Sequence, residues 1–578
     1  MGRVEWFPDY YELVFKCLDY SIALRVYEFL SIRRFIKLFR LKNGYVMKNL
    51  YGGILLSKDR FIWLAVLIIF SFRFIISSTT EIVGGQYDTD ALAYLVNAGY
   101  WGHSQDPIRP PFFPLLGWLV MKSGIPFRLF LEVAFIASTT WLASLLRKEF
   151  GRLLAIAVSV VVILNPYTIR SFTEAQREPV LLILYIVGFS IVLNILQHIK
   201  QGKVPYLLGA AFSFNLAFII LTREGEEVFS VVLIASLALS ILFFYRKVQK
   251  KKLIYLLVIA LLPIFILLKI VSSLNYSFFG VDGYRGLFSY EVKLLNQLNR
   301  IKSDDALRYA PITTNTFRLA LEKSPAFAEF ASDITRRDGY YELLREHSSS
   351  FVGKREIDPT RTIWAINNAL DSKYAQDGHI KALKLSAATQ ELDKLLNEGA
   401  LPSYTLAVPY PFDPNLNHWI GDIISSSFYL LKDTVFLTGD FSGLGARSDF
   451  DPENFNNAYN RRPSIVPKQF DGRMHKIREF IVSHYENILI LVCFLVLLLP
   501  SRKMSITGLV WMGIISACLL ARTLVTSILF TSVAPVSRYM VFSAPLFSIW
   551  FVIFLFFLKS KFLSFKKVAE NTSPGDNA

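Results

Sequence analysis

The stretch Leu253-Ile-Tyr-Leu-Leu-Val-Ile-Ala-Leu-Leu-Pro-Ile-Phe-Ile-Leu-Leu-Lys-Ile-Val-Ser-Ser-Leu274 carries a single charge in a run longer than the roughly 20 residues that cross a bilayer core. Lys250, Lys251 and Lys252 stand directly before it. The run is apolar on every helical face, so it is no amphipathic helix of a soluble protein. Working back toward the N-terminus, blocks of the same kind lie at Val228 to Phe244, Leu207 to Leu221, Val180 to Leu196, Leu153 to Leu164, Phe130 to Leu146 and Ile62 to Ile76. Toward the C-terminus they recur at Ile488 to Leu499, Ile506 to Leu529 and Met540 to Leu558. The composition agrees: 53% of the 578 residues are hydrophobic and 15% aromatic, with a mean hydropathy of +0.40. The sequence reads as an all-α polytopic membrane protein.

Basic residues gather in alternate connections. They are Arg33, Arg34, Lys37 and Arg40; Arg147, Lys148 and Arg152; Lys200 and Lys203; Arg246, Lys247 and Lys250 to Lys252; Arg502 and Lys503; and Lys559, Lys561, Lys566 and Lys567. Positive-inside bias then predicts both termini in the cytoplasm. It places residues 81–125, the loop from Asn165 to Arg177, the loop around Arg223 and the long polar stretch after Leu274 on the outer side. The alternation holds only if Phe112 to Met121 does not cross. That apolar segment is roughly half the length a span requires. Pro110, Pro111 and Pro114 favour a helix start, and Lys122 and Gly124 its end, so it reads as a helix in the outer interface. The expected order is about seven spans, a soluble domain, and about three further spans. The net charge of +16 is thus explained by an anionic cytoplasmic leaflet, and no nucleic-acid motif accompanies it.

The expected domains are a cytoplasmic amphipathic segment over 1–60, a transmembrane core over 61–275, an extracytoplasmic domain over 276–484, C-terminal spans over 485–558 and a basic cytoplasmic tail over 559–578. No cleavable signal peptide is expected, because the first apolar run follows a charged leader and lacks a small-residue cleavage site. Localisation in the inner or plasma membrane follows. Cys17, Cys493 and Cys518 offer no disulfide framework. In the polar domain, Tyr290 to Arg300, Asn315 to Leu321 and His379 to Leu396 have helical periodicity, whereas Tyr404 to Arg462 is rich in Pro, Asn, Asp and Gly and reads as loop.

The outer connections hold the residues capable of chemistry. The first contains Gln86-Tyr-Asp-Thr-Asp-Ala-Leu-Ala-Tyr94. A helix starting near Thr89 puts Asp90, Tyr94 and Asn97 on one face. Asp88 and Asp90 have the spacing of a general base with its neighbour, or of ligands for a divalent metal. They equally suit an N-cap and a first-turn dipole partner. The second connection runs Asn165-Pro-Tyr-Thr-Ile-Arg170, then Glu174, Arg177, Glu178 and Pro179. Glu178 beside Pro179 suits a helix start, but capping does not account for Arg170, Glu174 and Arg177 gathering there. The third is Thr222-Arg-Glu-Gly-Glu-Glu227, and Ser537-Arg-Tyr-Met540 puts Arg538 at the mouth of the last span. An arginine there can snorkel or grip a phosphate. Inside the spans, Arg73, Lys269, Arg522 and Glu132 are the few charges; Arg73, Lys269 and Arg522 are expected to reach the outer interface, with Glu132 near the outer end.

Taken in order, these signatures resemble the GT-C superfamily of membrane glycosyltransferases, which includes protein O-mannosyltransferases and aminoarabinose transferases. The resemblance covers Phe61 to Leu274 and, more weakly, Ile506 to Leu558. Its carriers are Asp88-Thr-Asp90 with Tyr94; Arg109-Pro-Pro-Phe-Phe-Pro114; Asn165, Pro166, Arg170, Glu178 and Pro179; Thr222-Arg-Glu-Gly225, with Glu224 where Pro is usual; and Arg538, Tyr539 and Pro545. One departure is that the soluble domain precedes the last spans instead of ending the chain. The resemblance implies a GT-C-like core that moves a sugar from a polyprenyl-phosphate donor to a glycan, lipid or protein acceptor, with inversion. Asp90 would be the base, with Asp88 beside it. Glu178 would orient acceptor or base. Tyr94, Arg109, Arg170, Arg223, Arg538 and Tyr539 would contact substrate. A divalent metal would sit at Asp88 and Asp90 if one is used. The rival is a transporter, flippase or assembly protein for lipid-linked glycans.

Overall fold

The computed structural model describes residues 68, 71, 73, 110–123, 125, 127–172, 177–223, 225–243, 248–303, 310–334, 339, 356–357, 359–374, 377–405, 408–410, 419–436, 476, 480–481, 483–499, 505–532 and 543–572. Phe72 to Ala578 form one compact unit and Met1 to Ser71 another. The amphipathic segment expected over 1–60 lies outside the described residues.

The first part of the larger unit comprises α1 (Phe112–Lys122), α2 (Phe127–Phe150), α3 (Arg152–Ile163), α4 (Pro166–Ser171), α5 (Glu178–Lys200), α6 (Tyr206–Ile220), α7 (Glu226–Phe243) and α8 (Lys250–Phe279). Each apolar block described in this stretch forms a helix. Of these, α1 has 11 residues, about 16 Å at 1.5 Å per residue, too short to cross a bilayer core. Basic residues end α2 (Arg147, Lys148) and α5 (Lys200) and open α8, so they stand at the end of the bundle away from Glu178 and Glu226. Among the described residues, 6 helices are long and apolar enough to cross a membrane, while α3, α6 and the later Tyr485–Leu498 are shorter apolar helices. Of the six, α5 is the most buried and α8 the least. The bundle is therefore built around α5, with α8 at its margin.

Two devices seat α8. Gly209 of α6 lies so close to Leu256 that a Cβ would come within 2.7 Å of its Cδ1, the small-residue contact that lets membrane helices approach. Pro263 interrupts the α8 hydrogen-bond ladder, and the Ile264 N–H donates to Ser213 Oγ at 3.0 Å, which satisfies a backbone group that lipid could not.

Among the described residues, five helices follow in the polar stretch: α9 (Phe288–Arg300), α10 (Thr314–Lys323), α11 (Pro325–Ala331), α12 (Pro359–Tyr374) and α13 (Gly378–Asn397). Leu294, Leu298, Phe317, Phe327, Phe330, Ile366, Leu385 and Leu392 form their core, distinct from that of the bundle. The three helices read from periodicity are present as α9, α10 and α13. Thr313 and Thr316 form a reciprocal capping box, and Ser324 and Asp377 cap α11 and α13. These helices follow α8 through Gly280, a left-handed cap with φ 69° whose carbonyl lies 3.1 Å from His379 Nδ1.

One expectation fails here. Within Tyr404 to Arg462, read as loop, Ile420–Phe436 forms a helix, α14. Pro, Asn, Asp and Gly crowd both sides of it, but its own apolar positions repeat at helical spacing. Ile423 and Leu430 are buried against α16 (Ile506–Ser532) and α17 (Ala544–Thr572), which with α15 (Tyr485–Leu498) are the remaining helices among the described residues.

Candidate active site

At the end of the bundle where α5 and α7 begin, the turn Leu221 to Gly225 collects contacts from remote parts of the chain. Pro110 and Pro111 lead into α1, whose first N–H, that of Phe112, donates to the Leu221 carbonyl at 2.9 Å. The Phe112 ring stacks on Phe218 at 4.4 Å. Gly225, with φ +86°, closes the turn, and Thr222 Oγ1 donates to the Phe218 carbonyl at 2.6 Å. Arg223 is buried and reaches Glu178 Oε1 at 3.4 Å. Glu178 opens α5 beside Pro179, where the helix dipole favours an anion.

The next two residues form further ion pairs. Glu226 is 1% exposed, and Arg522 Nη1 of α16 donates to both its carboxylate oxygens at 2.8 and 2.9 Å. The Tyr185 hydroxyl of α5 donates to Glu226 Oε2. Glu227 pairs with Arg285 and accepts from the Tyr284 hydroxyl at 2.9 Å. Burial, then the Glu227 charge, push the Tyr284 phenol up to about 12. The turn and the first two residues of α7 thus place a cation and two carboxylates against partners from α5, α16 and the segment after α8. Opposite charges alternate, so the low-dielectric site holds them without a large net charge.

The Asn-Pro loop is pinned separately. Asn165 is fully buried; its Oδ1 accepts from the Tyr167 N–H at 3.0 Å and its Nδ2 donates to Tyr485 Oη at 3.2 Å. Arg73 reaches the same loop, donating to Thr168 Oγ1 at 2.8 Å and to the Ile163 and Thr168 carbonyls at 2.7 and 2.9 Å. It also pairs with Glu132 at 2.9 Å, both side chains 1% exposed, between the rings of Phe135 and Phe172.

The structure brings Glu178 and Arg223 together. Arg170 lies on α4, its side chain outside those described. Asp88, Asp90, Tyr94, Arg109, Arg538 and Tyr539 lie outside the described residues. Arg73 and Arg522, expected to reach the interface, are instead held in internal ion pairs with Glu132 and Glu226, because an unpaired charge within a bundle costs more than one held by a carboxylate. Lys269 is exposed, 4.0 Å from Asp282. The sequence does not pair Glu226 with Tyr185 and Arg522, or Glu227 with Tyr284 and Arg285. The available signal was charge parity: Arg522 and Arg73, each alone in an apolar run, called for acidic partners elsewhere. Among the described residues no His, Cys, Asp or Glu group gathers as a metal requires; Asp88 and Asp90 are not among them.

No protein-family model matches the chain, and no curated protein matches it. The chain is similar to crystal structures of ArnT from Cupriavidus metallidurans. The structure bound to undecaprenyl phosphate aligns over 86% of this chain and 78% of that one, at 15% identity and a TM-score of 0.30. The apo structure aligns over 85% and 76%, at 15% identity and a TM-score of 0.28.

Proposed function

We propose that this chain is a membrane glycosyltransferase that moves a sugar from a polyprenyl-phosphate donor to an acceptor on the extracytoplasmic face. The observation that carries this reading is the meeting, at one turn, of the Pro-Pro helix start, Glu178 and Arg223. These come from three motifs that the sequence places far apart, and their contact is unnecessary if each is only a local cap.

The chemistry assigned to the residues is a single displacement. Asp90 removes the proton of the acceptor hydroxyl, whose oxygen attacks the anomeric carbon as the bond to the phosphate oxygen breaks. Asp88 stands beside the base, and Glu178 orients acceptor or base. The leaving group is a lipid phosphate that gains charge as it departs, so Arg223 and Arg538 stabilise it by charge-assisted hydrogen bonds. Glu178 holds the Arg223 fork in place before donor binds. Displacement from the opposite side inverts the anomeric centre.

The test is incubation of the purified protein with a panel of radiolabelled polyprenyl-phosphate sugars and a lipid and glycan extract. Label should pass from one donor to an acceptor, and Asp90→Asn should lower the passage by at least about a hundredfold. Movement of intact lipid-linked sugar across vesicles, with no bond broken in any donor, would replace the transferase by a flippase.

A further inference from the structure

We propose that α14 is seated in the bilayer, with one face packed on the bundle and the other against lipid acyl chains of the outer leaflet. The inference rests on the membrane reading of the chain and is independent of the transferase reading.

Both faces of α14 are apolar. Toward the protein, Ile423, Leu430 and Thr434 are buried, and Ser427 hydrogen-bonds Ser527 Oγ of α16 at 2.8 Å. On the other side Ile420, Ile424 and Phe428, spaced four residues apart, are 55%, 54% and 70% exposed, with Tyr429 next to them at 54%. A continuous stripe of large apolar side chains marks an interaction surface. The neighbouring helix says what covers it. Leu520 and Leu524 of α16 are 67% and 53% exposed, and a helix that crosses the bilayer presents such residues to lipid. Ser527, to which α14 is joined, lies about one turn beyond Leu524 on α16. The stripe therefore continues a lipid-facing surface.

Length and charge set the depth. Asp422 and Lys432, both exposed, bracket Ile424, Phe428 and Tyr429, with Ile420 just before them. The stretch between them spans about 13 Å of helix, roughly half of a ~30 Å hydrocarbon core. Ser527 is about five residues, ~8 Å, from the end of α16 at Ser532, so the contact lies close to that helix end and far from the midplane. A full crossing is inconsistent with the basic residues: it would put Arg502 and Lys503 on the opposite side from Lys250 to Lys252. Serines need not oppose this placement. Ser425 and Ser427 hydroxyls bond the Asp422 and Ile423 carbonyls at 3.0 and 2.8 Å, as polar groups in lipid must.

The experiment is site-directed spin labelling of the full chain in vesicles of phosphatidylcholine and phosphatidylglycerol. Cys493 and Cys518 are buried, so Cys17→Ser leaves a background open to one new label. A nitroxide introduced through Phe428→Cys should collide with dissolved oxygen severalfold more often than with an aqueous nickel chelate. A label introduced through Lys394→Cys, an exposed site on α13, should show the reverse. Ile424→Cys supplies an equivalent position if Phe428→Cys does not fold. Preference for nickel at 424 and 428 would mean the stripe faces water. Exclusion of both quenchers would mean that a second copy or another protein covers it. Either result overturns the proposal.

Discussion

Replacing Arg522 by methionine is the sharpest test of the ion-pair layer. Met keeps the long apolar stem and removes the charge. It leaves the Glu226 carboxylate, 1% exposed, with Tyr185 still on one oxygen but without the guanidinium that donates at 2.8 and 2.9 Å. Removing one member of a buried pair costs about 3–5 kcal/mol, because the remaining charge has lost its solvent and its partner. That is a loss of roughly two to three and a half decades in the folding equilibrium. Glu226→Gln should also destabilise, since it strands the Arg522 charge. The double substitution Arg522→Met/Glu226→Gln removes both charges and should recover most of the loss, with a coupling of at least about 2 kcal/mol between the sites. Reversible unfolding in mixed detergent micelles, with the four proteins arranged as a double-mutant cycle, reads this directly. Single variants within about 0.5 kcal/mol of the parent, or a double variant equal to the sum of the singles, would show that the two side chains do not form the buried pair described.

Three further outcomes bear on the site. Asp90→Asn should lower transfer by at least about a hundredfold, the scale of general-base catalysis, with the melting temperature unchanged; normal turnover in both Asp90→Asn and Asp88→Asn would remove the carboxylate mechanism. Arg223→Lys exchanges a planar fork for a point charge and should weaken donor binding by roughly tenfold to a hundredfold, since one charge-assisted bond contributes on the order of 1.5–3 kcal/mol; an unchanged KM for donor would take Arg223 off the phosphate. Tyr284 has its phenol raised from about 10 to about 12 by burial and the Glu227 charge, so the fold favours the protonated form. Its contribution is complete below pH ~10 and is lost as pH rises through about 12. The difference in ultraviolet titration between the parent and Tyr284→Phe should show one phenol ionising near the higher value; ionisation near the ordinary one would refute the Tyr284–Glu227 contact.

Hydropathy is a local property, so the apolar helices are legible in the sequence. Every apolar block falling within the described residues forms a helix, and Phe112–Lys122 has the short length expected of a segment that does not cross. Turn chemistry is local as well: Pro179 marks the start of α5 and Gly225 the end of the Arg223 loop because proline and a positive φ restrict the backbone where they stand. The helix α14 departs from the loop pattern because flanking Pro, Asn and Gly outweigh its short apolar run in the sequence, and only the surfaces of α16 and α17 make that run worth folding. Ion pairs were the least legible feature. Arg73 and Glu132 are 59 residues apart and Glu226 and Arg522 are 296 apart. The sequence could show that a lone arginine in an apolar run needs a carboxylate; which carboxylate it finds depends on how the helices cross. The same holds for Glu178 and Arg223. Their residue types implied a polar site at one end of the bundle, and the contact of Phe112 with Leu221 and the docking of α5 beside α7 brought them within 3.4 Å.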